Sequence, residues 1–357
     1  MVKHLLEKRM LLHCGTGGVG KTTVSAALAL RACLEGKRVG LITIDPARRL
    51  AASLGLTELG SEPRSLDRHL ARELPSRPKG SLSALMLHSQ DTLNKFLLEV
   101  GGTEVQKKFL ESNLYQVISD NFSGTHDYLA LEKLFELHES GKFDLIILDT
   151  PPARHTLDFL NAPDRIARFF DDRIFQWFLV DPRDSSIREK LRARGTRAAL
   201  GLLEKITGSG VIHDFVTLAP YFQKVKNAFV ERQSSVRRLI RSNEAGAVFI
   251  SSPNDLARGE AVPFLDDARR QGVNVLAFVL NRSLAHVAPE PAPRQPGGTP
   301  RKLWENYRNL RYLVEEEQGN FQRLRELAGG SAGCFSLPEM ETDVHDVRGL
   351  HELAKFF

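Results

Sequence analysis

The sequence predicts an α/β fold: a doubly wound, mostly parallel sheet that carries an inserted helical lobe. Three observations predict it. Short apolar runs rich in β-branched residues alternate with longer helical patterns, the mark of strands buried on both faces. A glycine-rich turn follows the first of these runs and opens a helix-forming segment. Two long stretches show three- and four-residue apolar spacing but no convincing strand.

The predicted strands are Met10–Cys14, Arg38–Ile44, Ser83–Leu87, Asp144–Leu148, Ala247–Ser251, Asn274–Leu280 and Gly333–Leu337. Right-handed crossovers should join them. The strandless stretches run over 90–140 and 163–243. In the second, Phe215, Leu218, Tyr221, Phe222 and Val225 recur at helical spacing. The expected organisation is a sheet-bearing domain from 1–89, 141–162 and 244–357, with 90–140 and 163–243 forming the helical lobe. Residues 286–300, dense in Pro and Gly, read as a mobile linker. Arg301 to Ala328 reads as a charged helix, and Val347 to Phe357 as a final helix packed on the sheet. No internal repeat is present.

Composition narrows the class. The chain has 357 residues, 42% of them hydrophobic and 26% charged, which excludes collagen-like and wholly disordered chains. The formal charge is +5. It concentrates between Arg165 and Arg238, where 15 Lys and Arg face eight Asp and Glu. Such a stretch reads as a solvated helical surface or as a surface for an acidic partner. Cys14, Cys33 and Cys334 are far apart and lack CxxC spacing, so neither a disulfide framework nor a structural zinc site is expected. A cytoplasmic location is expected, with no signal peptide and no transmembrane segment.

The chemistry-bearing motif is Gly15-Thr16-Gly17-Gly18-Val19-Gly20-Lys21-Thr22-Thr23, which satisfies G-x-x-x-x-G-K-[ST] between a strand and a helix. This makes the α/β fold a phosphate-loop NTPase. The glycines let successive N–H groups point inward at phosphate oxygens, and the helix N-terminus adds its dipole. Lys21 supplies charge at the β- and γ-phosphates. The Thr22 hydroxyl is a hard oxygen ligand for Mg²⁺. Two later strands end in acids, where ligands bind in parallel sheets. Asp149 is placed to hold Mg²⁺ through water, and Asp45 to orient or deprotonate the attacking water. For each Asp the alternative is a helix cap.

GGVGKTT, IDPARRLAASLGL and DTPPARHTLDFLNAP together resemble the arsenite-pump and tail-anchored-protein-targeting ATPases, the ArsA-like family. SGTHDYLALEKLFEL, LEKITGSGVIHDFVTLAPYF, FISSPND, FVLNR and LPEMETDVHDVRGL extend the resemblance over nearly the whole chain. Order and spacing look most like a bacterial branch of anion-transporting ATPases. The resemblance implies ATP and Mg²⁺ bound near the interface of a homodimer, with the DPA and DTPP segments as switches. It implies that Asp45 handles the attacking water, that Asp149 is the switch carboxylate near Mg²⁺, and that Asn281 reads the adenine edge. It also implies that Pro338 belongs to the loop over the base and that the helical lobe carries a protein client or effector.

Three departures qualify it. Thr16 stands where the family has a signature lysine reaching the partner's nucleotide, and a hydroxyl cannot replace that charge. Arg154 stands where the named members have glycine; it either supplies charge to the phosphates or is a surface residue. The three dispersed cysteines disfavour arsenite, a ligand of clustered thiolates. No methionine lies in 163–243, although nine aromatic residues do, either packing the lobe or lining an apolar groove. The sequence therefore predicts an ATP-hydrolysing dimeric switch. The alternatives are an ATP-binding assembly module with negligible turnover and, ranked lower, a partition-type ATPase on nucleic acid.

Overall fold

The structure is a computed structural model describing residues 2–44, 49–112, 115, 125–150, 210–254, 259–287, 300–330 and 332–357. Among them are strands β1 (Met10–Cys14), β2 (Arg38–Thr43), β3 (Arg64–Ser65), β4 (Ser81–Met86), β5 (Leu145–Asp149), β6 (Ala245–Ser251), β7 (Val275–Leu280) and β8 (Gly333–Ser336). The helices are α1 (Val2–Leu6), α2 (Lys21–Leu34), α3 (Arg49–Ser53), α4 (Asp67–Glu73), α5 (Ser89–Leu110), α6 (Thr125–Glu139), α7 (Gly210–Ile240), α8 (Ala261–Gln271), α9 (Arg301–Ala328) and α10 (Val347–Ala354).

The eight strands form one sheet in the order β3-β4-β2-β5-β1-β6-β7-β8. Every pair is parallel except β3–β4. β1 occupies the middle, between β5 and β6, so the chain leaving it stands at the switch point where crossovers diverge to the two sides. β3 is the strand that sequence patterning does not anticipate. It has two exposed residues and no apolar alternation, and it exists because β4 offers an open edge.

Alternate residues of each strand face opposite layers. Leu11, Leu41, Ile147, Val248 and Val279 pack under α2 and α10 in one continuous core. On the other face Phe249 stacks on Phe264 of α8 at 4.5 Å between ring centroids and meets Phe278 edge-on. α2 buries ten of its 14 residues, and Ala and Leu make up half of it, which lets it lie close against the sheet.

The chain divides into two compact units, one within Met1–Leu87, Glu136–Asp158 and Leu239–Phe357, the other within His88–Phe135 and Phe159–Arg238. The second has a core of its own: Phe96, Leu97, Val105 and Phe109 of α5, Tyr128 and Leu129 of α6, and Leu218, Val225 and Phe229 of α7. Within it Arg232 bridges Glu99 at 2.6 Å and the buried Glu132, and lies over the Phe96 ring. Burial pushes the Glu132 carboxyl up, and the Arg232 guanidinium opposes that shift. Residues 288–299 of the expected linker, and the expected lobe residues from 163 to 209, lie outside the described residues.

Removing the guanidinium would leave Glu132 buried beside no cation of its own pair. We expect Arg232→Ala to destabilise the helical unit by about 2–3 kcal/mol, below the range for deeply buried pairs because Arg232 is partly exposed. Hydrogen exchange in α5, α6 and α7 checks this. Protection unchanged from the parent chain would refute it.

Candidate nucleotide site

The turn after β1 closes on itself. Gly15 has φ +154°, and a Cβ there would strike the Ile250 carbonyl of β6. Gly20 has φ +85° at the start of α2, and its Cβ would strike the Asn281 side-chain amide. Only glycine satisfies both positions. The Lys21 ammonium folds back inside the turn and donates to the carbonyls of Gly15 at 2.9 Å and Thr16 at 2.8 Å. The loop therefore holds its own cation, and Lys21 is buried.

Beside the turn, three strands present polar side chains at one level. His13 of β1 and Thr43 of β2 both stand in register with Asp149 of β5. Asp149 Oδ2 accepts from the Thr22 hydroxyl at 2.7 Å and from the Thr43 hydroxyl at 3.0 Å. Asp149 and Thr43 are both buried. The carboxylate thus ties the first turn of α2 to the ends of β5 and β2.

Beneath lies a buried relay. Ser25 donates its single hydroxyl proton to the Lys21 carbonyl at 2.8 Å, so it accepts from His13 Nδ1 at 2.7 Å. That assigns the proton to Nδ1. Burial lowers the His13 pKa to about 3, keeping the ring neutral. The Thr150 hydroxyl donates to the His13 carbonyl at 2.7 Å, fixing the chain where it leaves β5.

On the other side of the turn, the Asn281 amide at the end of β7 donates to the Val19 carbonyl at 2.8 Å. The next residue, Arg282, takes the left-handed conformation at φ +56°, a strained choice for a residue with a Cβ. A cavity of about 400 Å³ opens here, its wall including Gly20, Thr23, Arg49, Asn281, Arg282 and Pro338. Its size is that of small-ligand pockets. A wider cleft of about 1060 Å³ adjoins it, sharing Glu339, Met340 and Thr342 to His345, with charged residues such as Arg72, Glu73, Arg348 and Glu352 elsewhere in its wall.

Of the residues singled out in the sequence, the structure brings together the Gly15–Thr23 turn, Asp149, Asn281 and Pro338. Asp45 and Arg154 lie outside the described residues. Sequence reading missed Thr43, His13, Ser25 and Arg282. The available signal was position: each lies at a strand end or one helical turn into α2. All three cysteines are buried, with their thiols pushed up by burial, Cys14 and Cys33 to about 12. Cys14 and Cys334 stand three strands apart, about 14 Å.

A parallel sheet with a glycine turn, a buried lysine and a strand-end carboxylate at its switch point defines a phosphate-loop α/β protein. The comparison with family models makes this specific: residues 8–287 match the anion-transporting ATPase family, and the chain belongs to it. The "Putative arsenical pump-driving ATPase 1" of Aquifex aeolicus is 24% identical over 351 residues, covering 97% of this chain and 78% of that protein. ATPase get3 of Schizosaccharomyces japonicus is 33% identical over 165 residues, 45% of this chain and 47% of that protein. ATPase asna-1 of Caenorhabditis elegans is 29% identical over 177 residues, 47% of this chain and 50% of that protein. The chain thus spans about half the length of the last two relatives. Among the described residues no helix is long and apolar enough to cross a membrane.

His13 makes stability depend on pH. The unfolded ring takes a proton near 6.5 and the folded ring near 3, so the unfolded chain binds more protons between those values. Stability contributed by the neutral ring is complete above pH 6.5 and falls as pH drops towards 3, by about 1.4 kcal/mol per pH unit at most. Denaturant titrations of the parent and of His13→Asn, which keeps a donor for Ser25, should differ by that slope. Parallel curves would exclude the assignment.

Proposed function

We propose that this chain binds Mg-ATP and hydrolyses it as a homodimeric switch, with nucleotide near the interface of two copies and a protein client or effector on the helical unit. The observation that carries the reading is the shared carboxylate, Asp149 Oδ2 accepting from both Thr22 and Thr43 at a self-closed glycine turn.

The residues present fit both groups. The hydroxyl proton of Thr22 is committed to Asp149, which leaves the oxygen lone pairs for a hard cation. Bound Mg²⁺ supplies charge neutralisation at the β- and γ-phosphate oxygens. The loop N–H groups from Gly17, Gly18 and Val19 through Thr23 bind phosphate oxygens at the positive end of α2. Lys21, already ordered by the Gly15 and Thr16 carbonyls, adds its charge with little reorganisation. Asn281 and Pro338 receive the base in the cavity beside Gly20. Asp45 orients the water whose oxygen attacks the γ-phosphorus, while the bond to the β-phosphate oxygen breaks and ADP leaves.

The relatives named arsenical pump-driving ATPase and get3 support ATP turnover in general. The separation of the buried thiols supports a client other than arsenite. We propose no nucleic-acid partner and a cytoplasmic site of action. One observation favours a second reading: Thr16 replaces a charge that would assist hydrolysis, so the chain could bind ATP and assemble while turning over negligibly.

The deciding experiment sizes the protein without nucleotide, with ADP and with ATP, while phosphate release is followed. The proposal expects an ATP-dependent dimer and release that drops about a hundredfold or more in Lys21→Ala. A monomer in all three states sinks the dimer, and ATP binding without release replaces the first reading by the second. Thr43→Val removes one bond to Asp149 at nearly constant shape. It should raise the Mg²⁺ concentration for half-maximal rate about fivefold, equivalent to about 1 kcal/mol, with kcat at saturating Mg²⁺ within about twofold. An unchanged Mg²⁺ dependence would remove Thr43 from the site.

A further inference from the structure

Helix α9 is two helices in environment. From Val314 onward it belongs to the sheet-bearing unit: Val314, Leu324 and Ala328 are buried, and Glu317 accepts from the Ser283 hydroxyl at 2.9 Å and the Leu284 N–H at 2.6 Å. Before Val314 the same helix runs on with most of its side chains outside. Leu303 is 60% exposed and Leu310 53%, and Tyr307 and Leu313 are exposed as well. At 100° per residue Leu303, Trp304, Tyr307, Leu310 and Leu313 share one half of the helix, the half that continues the buried stripe. Among the described residues an apolar stripe about 16 Å long, from Leu303 to Leu313, therefore stands largely exposed, with Trp304 partly covered.

Its surroundings specify what it suits. Arg301 pairs with Glu305 and Arg311 with Glu315, each at 2.8 Å, so Lys302 and Arg308 are the surplus positive charges of the overhang. Lys302 lies at one border of the apolar half and Arg308 on the polar half, from where long stems reach past apolar surface to anionic groups. Trp304 stacks on Tyr307 at 5.3 Å, which places two rings with polar edges together. The positive surplus opposes pairing with the same segment of a second copy. A straight, convex stripe with aromatic rings and flanking cations matches a planar surface of negative charge over apolar chains.

We propose that the first half of α9 lies on an anionic lipid surface, with Leu303, Trp304, Tyr307 and Leu310 entering the headgroup boundary and Lys302 and Arg308 meeting lipid phosphates and carboxylates. The acidic run Glu315–Glu317 follows at once, which confines the contact to the overhang. This inference does not depend on ATP turnover.

The test uses the full chain without nucleotide in flotation with two vesicle types, phosphatidylcholine alone and phosphatidylcholine with about a third phosphatidylserine. The proposal expects binding to the second type, about tenfold or more tighter than to the first, and weakening as salt rises. Tryptophan emission should move to the blue on binding, and the shift should vanish in Trp304→Phe. Leu303→Glu combined with Leu310→Glu, at exposed positions that leave the core intact, should lose at least about tenfold in binding. Equal affinity for both vesicles, an unshifted Trp304, or full binding by the double variant would overturn the proposal. So would a chain that ignores vesicles and instead dissociates from a dimer to a monomer in the double variant, which would make the stripe a contact between copies.

Discussion

One buried oxygen organises this site. Asp149 Oδ2 takes hydrogen bonds from Thr22 and Thr43, joining the start of α2 to two strand ends. A carboxylate is costly to bury unless donors meet it, so its position constrains the chain around it. Thr22 must begin α2 at that point, which is possible only if the preceding turn closes tightly. That closure in turn demands glycine at 15 and 20 and brings the Gly15 and Thr16 carbonyls onto Lys21. The loop's shape is thus held by contacts of the chain itself, and a site held in that way binds with less ordering cost than one that must assemble.

The floor beneath the loop is polar and dry. His13, Ser25 and Thr150 are buried: Ser25 and Thr150 donate to backbone carbonyls and His13 Nδ1 bonds Ser25, while His13 Nε2 is buried without a partner among the described residues. A neutral imidazole here anchors the carbonyl of Lys21 through Ser25, adjacent to the residue whose charge matters most. An aliphatic side chain would fill the same space but leave that linkage unmade. The Nδ1 proton follows from the commitment of the Ser25 hydroxyl to the Lys21 carbonyl, and the low His13 pKa from burial.

The helical unit solves a different problem with similar means. It has its own apolar core, and it also buries Glu132 against Arg232, with the Tyr128 hydroxyl donating to the same carboxylate at 3.2 Å. A pair of this kind adds little net stability over apolar residues of equal volume, but it admits few alternative packings of α5, α6 and α7. The positive surplus of the 165–238 stretch is therefore partly internal: Arg232 is spent on packing, while Lys224 stands exposed on α7.

Much of this was legible in the residues themselves. Seven of the eight described strands, the phosphate loop and the bounds of α9 follow from apolar period and from glycine chemistry, because those signals are local. Asp149 was legible as an acid at a strand end. Its partners were not, since Thr43 lies 106 residues away and its hydroxyl looks like any other in a strand. β3 was invisible because an edge pairing needs only a neighbour's unsatisfied backbone. The sequence by itself determined the fold class and the loop, through spacing that needs no distant contact. Only the tertiary structure decided which polar groups share Asp149, that His13 stays neutral, and that the apolar stripe of α9 is covered after Val314 but largely exposed before it. Those depend on which strands and helices become neighbours, and burial and hydrogen bonding are properties of that neighbourhood rather than of the residue.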